Sequence, residues 1–187
     1  VSLTSFPPTN PTFLCLDPSS GAQGTADDHR PYLFLSDTNR SRILALDSRG
    51  CLLYAITGSG AAGGDFKRQN GLYFDRTSQK ILVCDTESHR IQEVNLSGGA
   101  PGRVIIKTPP SHVPGFLALH SPSKRIAVSD IELKCIHIYS SERILMHSFG
   151  SKGSKEGQFR KPFAMVWSDS GILFIVDGGN MFVQGWI

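Results

Sequence analysis

Short apolar runs alternate with short polar turns along this chain, and one phrase of that alternation occurs four times. Its clearest copy is Ile81 to Val94, I-L-V-C-D-T-E-S-H-R-I-Q-E-V. Ile81 to Cys84 are β-branched or apolar without helical spacing. Asp85 to Arg90 are polar, and Ile91 to Val94 resume with apolar ends. That pattern predicts a strand, a tight turn and a half-buried strand. The other copies run from Leu33 to Leu46, Ile126 to Tyr139 and Leu173 to Trp186. Their turn aspartates, Asp37, Asp85, Asp130 and Asp177, are spaced by 48, 45 and 47 residues. Self-similarity at that period is the mark of a repeat architecture.

Further strand-like runs flank each phrase and group the chain into units. The pattern predicts units at 12–57, 71–107 and 115–149, and an incomplete one at 163–187. Val1 to Ser5 reads as the last strand of a preceding unit, because strand, double proline and strand recur from Val104 to His120. Pro18 to Arg30 has the Ser/Gly/Asp composition of an exposed loop. Nothing in the chain carries convincing 3.6-residue periodicity. Four short antiparallel strands are too small a sheet to fold alone and must stack on neighbours. The expected fold is therefore all-β, a β-propeller of about four four-stranded antiparallel blades. The start at Val1 without a methionine leads to the expectation of an excerpt from a longer protein, and so of an open arc, part of a larger propeller.

Composition adds little. Apolar residues make up 40% and charged residues 19%, ordinary for a globular domain. A formal charge of +3 permits an acidic partner without demanding one. No apolar run approaches the roughly 18 residues of a membrane span. The four cysteines, Cys15, Cys51, Cys84 and Cys135, form no C-x-x-C pair. Three fall in predicted strands, where free thiols act as small hydrophobes, which favours a reducing, cytoplasmic setting. Sequons at Asn39 and Asn95 point weakly the other way.

The repeated unit resembles an NHL repeat, a β-propeller blade. That pattern is a glycine loop, Phe, a strand, a strand ending in Asp, a turn, and a strand opening Arg-Ile. Here the second unit gives G-G-D-F and then I-L-V-C-D-T-E-S-H-R-I-Q-E-V, and the first gives L-S-D-T-N-R-S-R-I-L-A-L. The fourth gives G-Q-F-R-K-P-F-A-M-V. The third departs with Lys134-Cys135 where Arg-Ile is expected, and the fourth with Met181-Phe182. The resemblance implies that Arg42 and Arg90 pack between blades. It also implies a non-enzymatic binding module recognising a protein or single-stranded RNA, of the kind that ends a tripartite-motif (TRIM-NHL) ubiquitin ligase or post-transcriptional regulator. The RING, B-box and coiled coil would precede Val1. The alternative on this fold is a metal-dependent lyase of the peptidyl-amidating type, for which His89 and His112 are the candidate ligands.

Motif by motif, little enzyme chemistry remains. Gly58-Ser-Gly60-Ala-Ala-Gly63 matches G-x-G-x-x-G, but a dinucleotide site needs a helix next, and loop and strand follow. Asp37, Asp85, Asp130 and Asp177 read as structural turn residues accepting backbone N–H groups two residues on. Sorted by rim, the turns between second and third strands and the loops between blades share a basic bias. The candidate binding face is Arg40, Lys67, Arg68, His89, Lys134, Lys152, Lys155, Arg160 and Lys161. Phe66 and Phe159 read as core, so no base-stacking residue is assigned. The sequence predicts no catalytic residue, cofactor, metal site, small-molecule substrate or membrane contact.

Overall fold

Fifteen strands form four antiparallel sheets in the computed structural model, which describes residues 33–57, 66–96 and 102–187 and the backbone of 11–16. The first sheet is β1 (Pro11–Leu16), β2 (Leu33–Asp37), β3 (Arg42–Leu46) and β4 (Leu52–Thr57). The second is β5 (Gln69–Asp75), β6 (Lys80–Asp85), β7 (Arg90–Asn95) and β8 (Arg103–Lys107). The third is β9 (Pro114–Leu119), β10 (Ile126–Asp130), β11 (Cys135–Tyr139) and β12 (Leu145–Phe149). The fourth has three strands, β13 (Pro162–Trp167), β14 (Leu173–Asp177) and β15 (Phe182–Trp186). In each sheet, chain neighbours are sheet neighbours, as short turns between antiparallel strands require. Among the described residues no helix is long and apolar enough to cross a membrane. Val1 to Ser5, the 18–30 loop and the glycine run at 58–63 lie outside the described residues.

The sheets stack face to face through their first strands, β1 on β5, β5 on β9 and β9 on β13. Alternation then gives each sheet two apolar faces, one per neighbour. Phe34, Ile43, Ala45 and Ile56 meet Phe66, Leu72, Phe74, Ile81 and Val83 between the first two sheets. Leu82, Cys84, Ile91 and Ile106 meet Leu117, Leu119, Ile126 and Val128 between the next two. Ala118, Ala127, Ile136 and Ile138 meet Phe159, Leu173 and Ile175 between the last two. Among the described residues the outer face of the fourth sheet has no such partner: Val166 and Val183 are each 60% exposed and Phe174 is 40% exposed.

The first strands approach closely enough to exclude a side chain. A Cβ on Gly71 would lie 2.7 Å from the Phe116 Cα and 2.9 Å from the Gly115 carbonyl oxygen. Backbone cannot yield as a side-chain tip can, so Gly71→Ala must push the second and third sheets apart. It is expected to cost about 1–3 kcal/mol by overpacking, read as a lowered urea midpoint. An unchanged midpoint would mean that the two strands separate freely.

Every second-to-third-strand turn closes in the same register. Asp37 pairs with Arg42, Asp85 with Arg90, Asp130 with Cys135 and Asp177 with Phe182. The residue before the closing partner has positive φ in all four: Ser41, His89, Lys134 and Met181. This register corrects the sequence alignment by one residue. Cys135 alone stands at the arginine position of the third blade and Phe182 at that of the fourth. Lys134 and Met181 fill the left-handed turn position instead.

Candidate functional site

The turn aspartates are fully buried, and their main role lies outside their own turns. Asp85 Oδ1 accepts the Lys67 N–H at 2.6 Å, and the Glu87 N–H returns a bond to the Lys67 carbonyl at 3.1 Å. Asp130 accepts the Val113 N–H at 3.0 Å, and the Ile131 N–H donates to the Val113 carbonyl. Asp177 accepts the N–H groups of Lys161 at 2.7 Å and Arg160 at 2.9 Å, and the Gly178 N–H donates to the Lys161 carbonyl. Asp85, Asp130 and Asp177 thus each clamp the loop that leads into the first strand of their own blade, 16 to 18 residues upstream. Those loops carry Lys67, Arg68, Arg160 and Lys161.

The expected bonds to N–H groups two residues on exist in only part of the set. Asp130 accepts from Glu132 and Leu133, and Asp177 from Gly179 and Asn180. Asp85 takes Arg90 Nε at 2.7 Å and Gln92 Nε2 at 2.9 Å instead, and Asp37 takes Arg42 Nε at 2.8 Å. A short 3₁₀ turn follows Asp37 and Asp85, and neither carboxylate caps it. Where a blade has its arginine, the carboxylate faces that cation; where it lacks one, the carboxylate serves its own turn. Arg42 and Arg90 are accordingly ion-pair partners of their turn aspartates.

Burial alone would raise the Asp177 carboxyl, but the N–H groups of Arg160, Lys161, Gly179 and Asn180 outweigh it and hold it below the usual carboxylate range. A lowered folded-state pKa stabilises above the unfolded value, about 3.9, and that stability is lost as pH falls through the folded value. The stability gap between wild type and Asp177→Asn should therefore be constant at neutral pH and shrink below about pH 4. Urea melts of both proteins from pH 7 to pH 3 measure it. A gap independent of pH would show that the carboxylate charge contributes nothing.

Two adjoining clefts follow the rim. One, of 440 Å³, is lined by Thr38, Asn39, Ser41, Phe66, Lys67, Arg68, Asn70 and Glu87. The other, of 360 Å³, is lined by Asn70, Phe116, Ile131, Lys134, Arg160, Lys161 and Pro162. Asn70 is common to both. The structure so brings together Lys67, Arg68, Lys134, Arg160 and Lys161 of the expected binding face. Arg68 sits 3.5 Å from Glu87, both exposed, a pair of little strength. Lys134 Nζ donates to the Ile131 carbonyl. No ion pair among the described residues involves Arg160 or Lys161, and both are exposed. Arg40 lies 3.5 Å from Asp37, outside the lining. Lys152 and Lys155 are exposed on the loop after β12, also outside it. His89 bonds the His112 carbonyl through its Nδ1 at 3.0 Å, and it lies outside the lining of both clefts.

Sequence reasoning missed Phe116 and Phe163. Phe66 and Phe159 are buried as expected, but Phe116 lines the second cleft and Phe163, beside Pro162, is 37% exposed. Their rings meet edge to face with centroids 6.3 Å apart. Each lies where β9 or β13 is irregular against its partner strand, between Pro114 and Leu117 and between Pro162 and Ala164. A bulge re-aims side chains that alternation would send inward.

A second polar cluster lies in the third blade. His137 Nε2 is 3.4 Å from Asp130 Oδ2 and 3.7 Å from Cys135 Sγ, and its Nδ1 is 2.7 Å from Ser148 Oγ. The His112 ring stacks on it with centroids 4.4 Å apart. Burial lowers the His137 pKa, but Asp130 and Cys135 outweigh burial and hold it at about 9. Burial raises Asp130, while His137 and the three N–H groups hold it below its ordinary value. Cys84, wholly buried, is pushed up by burial. A cleft of 680 Å³ follows the edge of β15 from Phe182 to Trp186, an edge that no described strand pairs.

No family model matches the sequence, and no curated protein does. Solved structures do. Virginiamycin B lyase from Staphylococcus aureus is 11% identical, with a TM-score of 0.57 over 82% of this chain and 51% of that one. A putative gluconolactonase is 16% identical, with a TM-score of 0.60 over 84% and 56%. The propeller domain of Cps50 (Swd1) from Myceliophteria thermophila is 15% identical, with a TM-score of 0.59 over 94% and 53%. The fold is a β-propeller. These identities carry the fold alone, since one fold hosts many activities. The chain spans about half the length of these propellers.

Proposed function

We propose that this propeller is a non-enzymatic binding module whose basic rim takes single-stranded RNA, as an NHL-type domain of a larger, cytoplasmic TRIM-NHL-like ubiquitin ligase or post-transcriptional regulator. The observation that carries the reading is the second cleft. Exposed cations at Arg160 and Lys161, their backbone fixed by buried Asp177, stand beside the Phe116–Phe163 pair. Cations that track phosphates and aromatic faces that stack bases are the two needs of single-strand binding. An acidic peptide would use the cations but has no need of exposed rings. The two linked clefts run from the first blade to the fourth, a path suited to an extended ligand.

Fluorescence anisotropy with a random single-stranded RNA pool, and in parallel with an acidic peptide library, tests the reading on wild type, Arg68→Glu and Arg160→Glu. RNA binding weakened by both changes is expected. Binding of the peptide alone would replace the RNA assignment, and unchanged RNA affinity in both variants would rule this rim out.

A further inference from the structure

The third blade departs from the second at two facing positions. Across its turn Cys135 stands where Arg90 stands in the second blade, and His137 where Gln92 stands. The arginine that faces the turn aspartate in the first two blades is thereby missing, and His137, 3.4 Å from Asp130 Oδ2, stands there with the Cys135 sulfur beside it. We propose that His112, Asp130, Cys135 and His137 form a structural binding site for a divalent transition metal of the zinc class.

The distances fit. In a tetrahedral zinc site, bond lengths of about 2.0–2.1 Å to N or O and about 2.3 Å to S separate N from O by about 3.4 Å and N from S by about 3.6 Å. His137 Nε2 stands 3.4 Å from Asp130 Oδ2 and 3.7 Å from Cys135 Sγ. One ligand atom each of His112, Asp130 and His137 lies within 4.8 Å of the others, and Cys135, outside that group, adjoins it through His137. His112 Nδ1 is buried and has no hydrogen-bond partner. Turning that ring out of its stack on His137 to reach a common ion breaks no hydrogen bond there. The Ser148 hydroxyl beside His137 Nδ1 fixes the ring and leaves Nε2 toward the ion, the usual outer support of a metal-bound histidine.

Charge and burial point the same way. Asp130 is 0%, His137 3% and Cys135 8% exposed. A carboxylate, a thiolate and two neutral imidazoles offset a divalent ion, so the buried site carries no net charge. Such a closed site is structural, since a catalytic zinc keeps an open position. The ion would join the lead-in loop at His112 to the ends of β10 and β11. It would also stiffen the backbone next to Lys134 and Ile131 of the second cleft.

The test uses the whole 187-residue chain, free of any histidine tag and stripped with a chelator. Zinc is titrated calorimetrically, and cobalt(II) is added to read sulfur coordination by its charge-transfer absorption. His137→Gln installs the residue found at this position in the second and fourth blades, Gln92 and Gln184, so it should fold; Cys135→Ser is the second variant. One equivalent of zinc bound by wild type, a thiolate-to-cobalt band, and affinity weakened by at least about tenfold in both variants are expected. No zinc bound by the folded wild type, or zinc bound equally well by both variants, would overturn the proposal.

Discussion

Asp85→Ala is expected to lower stability by about 3–5 kcal/mol, the cost of stranding one partner of a buried ion pair. A turn aspartate read from sequence alone supports only about 1–2 kcal/mol, from turn donors left without an acceptor. The structure raises the figure because three donors converge on this carboxylate. Arg90 Nε, Gln92 Nε2 and the Lys67 N–H all end on it, within 2.6–2.9 Å, and it is wholly buried. Its loss takes this acceptor from the Arg90 guanidinium and from two N–H donors, and it frees the loop that carries Lys67 and Arg68. The measurement is urea unfolding of Asp85→Ala beside Asp85→Ala/Arg90→Met. The double variant removes the stranded charge and should recover part of the loss. If the double variant is no more stable than the single one, the ion pair is not the cause.

The second large effect concerns the rim. Changing Arg160 and Lys161 together to glutamine should flatten the salt dependence of RNA binding, lowering the slope of log K against log salt by about two. Phe163→Ala should instead weaken binding by about 1–3 kcal/mol with the slope unchanged, because stacking releases no counterions. Both changes are at exposed positions, so melting temperatures should hold. Anisotropy titrations across a salt series separate the two. A Phe163→Ala protein that binds as wild type would remove the ring from the site and leave a purely electrostatic contact.

Much of this molecule was legible in its sequence. The four-fold phrase around Asp37, Asp85, Asp130 and Asp177, read with strand periodicity, determined an all-β repeat fold and placed its strands within a residue or two. Alternation is a local property, and a one-residue slip would turn every apolar side chain to the wrong face, so the pattern had to be visible. Phe66 and Phe159, which lie in the loops ahead of β5 and β13, are buried as the sequence reading expected.

Only the tertiary structure decided how that frame makes a site. The aspartates bond to loops 16 to 18 residues upstream whose residues differ from blade to blade, Lys67, Val113 and Lys161, so no motif announces the clamp. The strand irregularities at the start of β9 and β13 break the period that sequence reading relies on, which hid Phe116 and Phe163. The pairing of Asp130 with Cys135 was needed to show that a cysteine, and a histidine two residues on, replace an arginine and a glutamine. Turn hydrogen bonds and apolar alternation act between near neighbours and are written in order along the chain. Clefts and ligand clusters join residues from separate loops, and the stacking of sheets alone brings these together.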